Sequence, residues 1–401
     1  METVKRFCFN RMEIAGSLGD LGTLLPLALG MILINGINPM GLFFTVGIYY
    51  IMSGIYFGVT VPVQPMKVIG AYAIATAMDA SQIYASGLIL AVLFLLIGWT
   101  DLIGLIGKYV PRSVIRGVQL STGILLAAQG VKFMTGASTF QLLHKTAEPY
   151  LMIQNLGPIP IGIVIGVLGS LLTLFLLDNR RLPAGLVLVL GGIVLGLVLG
   201  THKGFDRLGI GFNIPGIFPF DMPTRLDFTF AFLSLVLPQL PMTLGNAVLA
   251  YADLSRDYFG AGSERVTYRG ACISIALANF LGFLFGGMPL CHGAGGLAAH
   301  YRFGARTAGS NLIIGLFFVV LAVLLGSQIL TVINILPMSV LGVLLLFAGT
   351  QLALTIIDVH EHKDLFVVLT MLAITLASNL AFGFITGIFI AYALKWEKLK
   401  V

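Results

Sequence analysis

Charge is what this chain has least of. Of its 401 residues only 10% are charged while 58% are hydrophobic, and the mean hydropathy is +0.99. An ordinary soluble domain is about a quarter charged. The shortage excludes a water-soluble fold and points to an integral membrane protein. About 20 apolar residues are needed to cross a roughly 30 Å hydrocarbon layer, so spans use up nearly the whole length and leave no room for a soluble domain. Cysteine is scarce as well. Cys8, Cys272 and Cys291 make neither a disulfide framework nor a zinc-ligand spacing. No GxxxxGK[ST] pattern occurs, so direct ATP drive is not expected, and nothing calls for a metal or a cofactor. The basic start METVKRFCFNRM runs into a long apolar stretch without a small-residue cleavage pattern, so the first helix is expected to stay.

Long apolar runs are what the chain does have. Broken at charges and Gly/Pro clusters, they predict spans over 12–35, 41–60, 83–107, 112–135, 158–178, 182–200, 228–251, 268–286, 310–333, 337–357, 365–380 and 383–396. Two pieces, 64–78 and 291–302, are too short to cross as helices. They follow Pro62 and Pro289, where the backbone should be non-helical because proline lacks a donor and restricts its predecessor. The expectation is an all-α integral membrane protein of about fourteen segments, twelve spans and two half-helices.

Loop charge supports that number. With both termini cytoplasmic, most of the 23 basic residues fall inside, among them Lys5, Arg6, Arg11, Lys108, Arg112, Arg116, Arg180, Arg181, Arg256, Arg265, Arg269, Arg302, Arg306, Lys363, Lys395, Lys398 and Lys400. Lys132, Lys145, Lys203, Arg207 and Arg225 stay outside, and Lys67 is left within the membrane. The net charge of +6 is therefore an orientation signal in a multi-pass protein of the cell membrane, and no nucleic acid is implied. The cluster 253–270, DLSRDYFGAGSERVTYRG, is expected to be a solvated cytoplasmic loop.

The two halves of the chain echo one another. LGDLGTLLPLALGM (18–31) faces LPQLPMTLGNAVLAY (237–251), VPVQPMKVIGAYA (61–73) faces MPLCHGAGGLAAH (288–300), and PRSVIRGVQLSTG (111–123) faces PMSVLGVLLLFAG (337–349). Seven segments per repeat, over 1–200 and 226–401, put the second copy upside down relative to the first. Secondary transporters are built this way, with paired Gly/Pro-broken segments at a midplane site.

Helix starts carry unpaired N–H groups and about half a positive charge, so two of them facing each other make an oxyanion site. The candidate ligand residues are Gln64, Met66 and Lys67 in the first half-helix and Cys291, His292, Gly293, Ala294 and Gly295 in the second. A cation at Lys67 is on the wrong end of the dipole and costs at least ~2.5 kcal/mol at mid-bilayer, so something negative should lie near it, an anionic substrate or Asp20. Alternatively Lys67 snorkels or pairs permanently with an acid. Asp20, in Gly19-Asp20-Leu21-Gly22-Thr23, is a candidate for proton or sodium coupling or else a lid on half-helix amides. His292 is either a donor or titrating coupling group, or a packing histidine. Cys291 reads as a small filler whose backbone matters. Gln239, Thr243 and Asn246, spaced four and three apart, share a stripe and either line the site or glue helices together. Arg302 and Arg306 are topology anchors or a guanidinium pair that attracts dianions.

PVQPMK at 62–67, together with GGMPLCHGAGGLAAHYRFGARTAG at 286–309, resembles the two signature motifs of the molybdate transporter family related to the SulP sulfate permeases, and GDLGTLLP at 19–26 is similar to that family's start. The likeness covers essentially the whole chain. It implies the seven-plus-seven inverted repeat, with a core domain bearing the half-helices that moves against a gate domain. Two departures matter. SulP permeases carry a cytoplasmic regulatory domain after the membrane part, and no such soluble domain is expected here because the chain stops at Val401. Proton-coupled relatives often hold an acid in the first helix of the second half, where this chain has Gln239.

The expectation is a secondary transporter, not an enzyme, that moves molybdate and tungstate by alternating access. The dianion is placed between the half-helix starts, with Thr23, Gln239, Thr243 and Asn246 as further donors. Sulfate is the close competitor, since both ions are tetrahedral dianions, and molybdate rests on the resemblance. A nucleobase symporter would need more carboxylates in the pocket. An intramembrane hydrolase using Cys291 and His292 is not expected, since neighbours on a helix point about 100° apart, and a dyad with His300 would be more than two turns away. An anion channel shares the residue pattern and is separated by flux saturation. The coupling ion and the oligomeric state, a homodimer among the alternatives, stay open.

Overall fold

Polar caps and left-handed glycines end the apolar runs. The computed structural model describes residues 6–100, 110–138, 141–142, 145–177, 179, 182–202 and 208–396. Lys5, Lys108, Arg180, Arg181, Lys203, Arg207, Lys398 and Lys400 of the charge pattern, and the last turns of the span expected at 83–107, lie outside the described residues.

The span expected at 12–35 is two helices, α1 (Arg11–Ser17) and α2 (Leu21–Asn35), broken at Leu18 to Asp20. Helix α3 (Pro39–Phe57) starts at Asn38, whose side chain accepts from Gly41 N–H, has proline in its first turn, and ends at Gly58 with φ +76°. The strand β1 (Gln64–Pro65) leads into the half-helix α4 (Lys67–Thr76), followed by α5 (Ala80–Thr100) and α6 (Arg112–Thr135). A small hairpin of β2 (Asn155–Leu156) and β3 (Ile159–Pro160) precedes α7 (Ile161–Leu176) and α8 (Ala184–Leu199). The second half holds α9 (Arg225–Ser263), α10 (Tyr268–Phe285), β4 (Leu290–Cys291), the half-helix α11 (Ala294–Arg302), α12 (Ala308–Leu325), α13 (Ile329–Ile333), α14 (Met338–Ala353), α15 (His362–Ala377) and α16 (Leu380–Ala393).

Among the described residues, eight helices are long and apolar enough to cross a membrane. Leu168, Phe175 and Val198 on α7 and α8 are exposed, as side chains facing lipid are. One expectation is corrected. The segment 253–270 is not loop throughout, because α9 carries on past Tyr251 as a helix to Phe259. Its polar residues, Asp253 and Arg256, pair with each other on the exposed face at 3.0 Å while Ser255 stays buried.

Two helix groups pack around the half-helices. In one, α3 packs on α12 and α5 on α10; in the other, α6 packs on α14, α15 and α16, and α14 also on α7. The α6–α14 contact is backbone against backbone. A methyl on Gly123 would meet Gly349 O at 2.6 Å and one on Gly130 would meet Gly342 O at 2.5 Å, and the reverse clashes arise from Gly349 and Gly342.

The start of α14 is held by a loop. Glu148, buried, accepts from Met338 N–H at 2.9 Å and Ser339 N–H at 2.8 Å, supplying the acceptors that the helix itself lacks. Glu148→Ala leaves both donors unpaired and is expected to lower stability by about 1–3 kcal/mol. The check is a lowered melting temperature in detergent, with Glu148→Gln recovering more than half of the loss because one acceptor oxygen remains.

Candidate anion-binding site

Prolines hold the centre of the molecule out of helix. Gln64 and Pro65 pair antiparallel with Cys291 and Leu290, Gln64 opposite Cys291, and Met66 N–H donates to the Pro289 carbonyl at 3.0 Å. Pro62, Pro65 and Pro289 flank or enter this ladder, where their missing N–H and fixed φ suit extended chain. A half-helix leaves from each strand, α4 after Met66 and α11 after Gly293. Both cap residues are extended and neither offers a side-chain cap.

The two starts differ in what they meet. At α4, Val68 and Ile69 N–H donate to Gln239 Oε1 at 2.9 and 3.2 Å. Gln239 Nε2 donates to Thr243 Oγ1 at 2.8 Å, and that hydroxyl donates back to the Gln239 carbonyl at 3.1 Å. Gln239, expected as a donor to the ligand, instead presents an oxygen to the first half-helix, where an anion's oxygen would sit. Pro238 and Pro241 interrupt the N–H ladder of α9, and π-helical turns flank them at Ala231–Val236 and Thr243–Ala250. At α11, Gly295 faces open space, with nothing within 4 Å of where a Cβ would lie.

Behind the ladder, Gln64 Nε2 donates to Asp20 Oδ2 at 2.7 Å. Gln64 Oε1 is buried without a hydrogen-bond partner. Thr23, Lys67 and His300 are the other groups acting on Asp20. A Cβ on Gly296 would lie 2.5 Å from Asp20 Oδ2 and 2.7 Å from Gln64 Nε2, and one on Gly293 would overlap Gln64 Oε1. The glycines therefore let the carboxylate and the amide reach the second half-helix.

Gln64, Lys67, Gln239, Thr243, Asn246 and Cys291 line one small cavity of about 10 Å³. Thr23, Lys67 and Asn246 also line a larger one of about 390 Å³, with α2, α4 and α9 on one side and α6, α7, α8 and α14 on the other. Lys67 and Asn246 belong to both, so the small cavity adjoins the large one. The far wall of the large cavity carries polar residues that the sequence reading did not single out: Arg116, Gln119, Gln351 and Thr355. Arg116 forms a two-bond ion pair with Asp358, one bond being 2.8 Å, and donates to Gln119 Oε1 at 2.7 Å. Polar positions three apart on α6, and four apart at the end of α14 and in the turn that follows it, were the available signal.

Met66 and His292 are not in either cavity. Met66 is wholly buried in the core. His292 is buried, with its ring bonded away from both cavities. Its Nδ1 lies 2.9 Å from the Pro62 carbonyl, which can only accept, so that nitrogen carries the hydrogen. Nε2 faces the hydroxyls of Tyr49 at 2.8 Å and Ser274 at 3.0 Å, and the ring stacks between Tyr49 and Tyr251. The reason is extended backbone. Cys291 is the last residue of a strand, where successive side chains alternate sides, so Cys291 faces the cavity and His292 faces away. Ala294 lies in the first turn of α11, where its backbone rather than its methyl is the group offered. Arg306 stands away from the large cavity, at a separate one beside Arg6.

Residues 12–126 and 231–352 match the family described as "Molybdate transporter of MFS superfamily". The chain is 32% identical over 419 residues to "Molybdate transporter 1" of Arabidopsis thaliana, covering 96% of this chain and 88% of that protein. It is 29% identical to "Molybdate transporter 1" of Chlamydomonas reinhardtii, covering 94% and 90%. Its fold is that of the transmembrane domain of the cyanobacterial bicarbonate transporter BicA, with a TM-score of 0.62 at 15% identity over 96% of this chain and 98% of that one. SLC26A9 shares the fold with a TM-score of 0.67 at 14% identity over 96% of this chain, which spans 65% of the length of that protein.

Proposed function

The chain belongs to the molybdate transporter family of the MFS superfamily, and from that membership we propose that it carries molybdate, and tungstate with it, as a secondary transporter working by alternating access. It is a multi-pass membrane transporter and not an enzyme. The observation that carries the proposed site is the ladder between Gln64 and Cys291, which brings two half-helix starts together beside Lys67. In this reading a dianion takes the N–H groups of Val68 and Ile69 in place of the Gln239 oxygen, meets the uncapped start of α11 at Ala294 and Gly295, and is balanced by Lys67. Thr23 and Asn246 supply neutral donors, while Thr243, whose hydroxyl hydrogen is used on the Gln239 carbonyl, positions the Gln239 amide. No second carboxylate beyond Asp20 joins this set, which suits an anion better than a nucleobase.

The inverted repeat is supported by the packing. Numbering the segments one to seven in each half, the second packs on the fourth of the other half both ways, α3 on α12 and α10 on α5. The two fifth segments, α6 and α14, pack on each other, and so do the two strands that lead into the third. Exchanging the halves returns the same set of contacts, as two inverted copies would. In this reading the half-helices together with the α3–α12 and α5–α10 pairs act as the core and the α6–α14 group as the gate. The large cavity opens beside Arg116, on the side that the charge pattern makes cytoplasmic. Of the two coupling candidates, Asp20 is retained because it bonds a site residue, and His292 is withdrawn because its ring is already satisfied away from the cavity.

Purified protein in liposomes tests the reading. Molybdate uptake should saturate, fall with tungstate as competitor, and resist sulfate at the same concentration. Equal inhibition by sulfate reduces the proposal to a general oxyanion carrier, and flux that never saturates replaces the carrier with a channel.

A further inference from the structure

We propose that Arg6, Arg265 and Arg306 form a second anion site that takes a phosphate group, either free in solution or carried on the headgroup of an acidic lipid. The three line a cavity of about 470 Å³, separate from both cavities of the transport site. Arg6 Nη2 bonds the Ile55 carbonyl and reaches the Tyr56 carbonyl at 3.5 Å, and Arg265 Nη1 donates to that same Tyr56 oxygen at 3.2 Å. Two guanidinium groups thus converge on one neutral acceptor. Among the described residues the ion pairs are Arg116–Asp358 and Arg256–Asp253, so none of the three guanidinium groups has a carboxylate within 4.0 Å; the Glu13 carboxylate is held instead by the Arg306 backbone N–H, at 3.1 Å. Like charges gathered in this way repel, and an anion between them turns the repulsion into attraction.

The arginines are also held in place. Arg306 donates to the Tyr301 and Ala305 carbonyls and lies 3.4 Å over the Tyr301 ring, which stacks on Tyr258 at 3.9 Å. Gly58 makes room for Arg6, since a Cβ there would come 2.9 Å from Arg6 Nε. A guanidinium has five N–H donors in a fixed fork, so groups already anchored on carbonyls keep donors for phosphate oxygens. Beside the cavity, Ile55 and Tyr56 at the end of α3, whose carbonyls hold Arg6, are exposed. An apolar rim next to a basic pocket is what an acidic headgroup at a membrane surface meets.

The cavity wall includes Val59 and Thr307, which pair across an isolated β-bridge. Val59 leads into β1 and Thr307 follows α11, so a ligand here braces the two segments that carry the transport site.

The test uses the whole protein in phosphatidylcholine nanodiscs, with either inorganic pyrophosphate added or phosphatidylglycerol built into the bilayer, and reads the melting temperature. A rise of about 4 °C is expected with at least one probe. The rise should be at least halved in Arg6→Gln/Arg265→Gln. It should be larger in Glu264→Gln, which removes a carboxylate from the cavity wall, a gain that misfolding does not mimic. It should persist in Lys67→Gln and under saturating molybdate, which keeps this site distinct from the transport site even if molybdate proves not to be the cargo. A response to pyrophosphate alone identifies free phosphate as the source, and one to phosphatidylglycerol alone identifies the headgroup. No rise with either probe, or an undiminished rise in the double arginine variant, overturns the proposal.

Discussion

If the chain carries molybdate as proposed, uptake is expected to fall by about 100-fold when Gly296 is replaced by alanine, while the protein stays folded. The added methyl would sit 2.5 Å from Asp20 Oδ2 and 2.7 Å from Gln64 Nε2, closer than real Cβ contacts come. Those two groups are buried and bonded to each other at 2.7 Å, so neither can swing aside. Relief comes from backing the start of α11 away from the ladder, and a misplacement of about 1 Å at a reacting or binding centre costs about 10²-fold. Overpacking of this kind costs about 1–3 kcal/mol of stability, which leaves a monodisperse, folded protein for the assay. Gly295→Ala is the control for helix propensity, because its methyl enters open space and should not lower the melting temperature. Wild-type uptake by Gly296→Ala would sink the placement of the site against Asp20 and Gln64.

Lys67→Gln is expected to raise the KM for molybdate by about 30-fold or more. Lys67 lines both the small and the large cavity, and among the described residues no carboxylate lies within ion-pair distance of it. Its charge is thus directed to whatever occupies the cavity, with Asp20 acting on it only through space. Truncating one partner of a buried, hydrogen-bonded charge pair costs about 2–5 kcal/mol, and each 1.4 kcal/mol is tenfold. Uptake measured across a molybdate series in proteoliposomes gives KM directly. An unchanged KM would show that the backbone donors hold the anion without the lysine.

The half-helices were legible because their signal is chemical. Proline and glycine interrupt apolar sequence at 62–67 and 288–296, and the structure puts short strands there, then helices at Lys67 and Ala294. The stripe of Gln239, Thr243 and Asn246 was legible by spacing, and all three line one cavity. The direction of the Gln239 amide was not. Composition shows that an amide is present, but whether its oxygen or its nitrogen meets α4 depends on Thr243 taking the nitrogen. The choice between the two readings of His292 was not legible, because one residue of extended chain, rather than helix, decides which side it faces. The helical extension of α9 beyond Tyr251 was hidden by its charge, since a helix leaving the membrane reads like a loop in hydropathy. Arg116 was taken only as a topology signal and Gln119 was not singled out, because the wall they complete is assembled from segments far apart in sequence.

The glycine seam between α6 and α14 bears on how this chain can change over generations. Gly123 abuts the backbone of Gly349, and Gly130 that of Gly342, each blocked by a carbonyl belonging to its counterpart. A side chain that grows at one position cannot be accommodated by a smaller side chain opposite, since the obstacle is main chain and has nothing left to lose. Compensation within the pair is closed off, so the four positions should drift neither singly nor together, while the lipid-facing residues of the same helices stay free to vary.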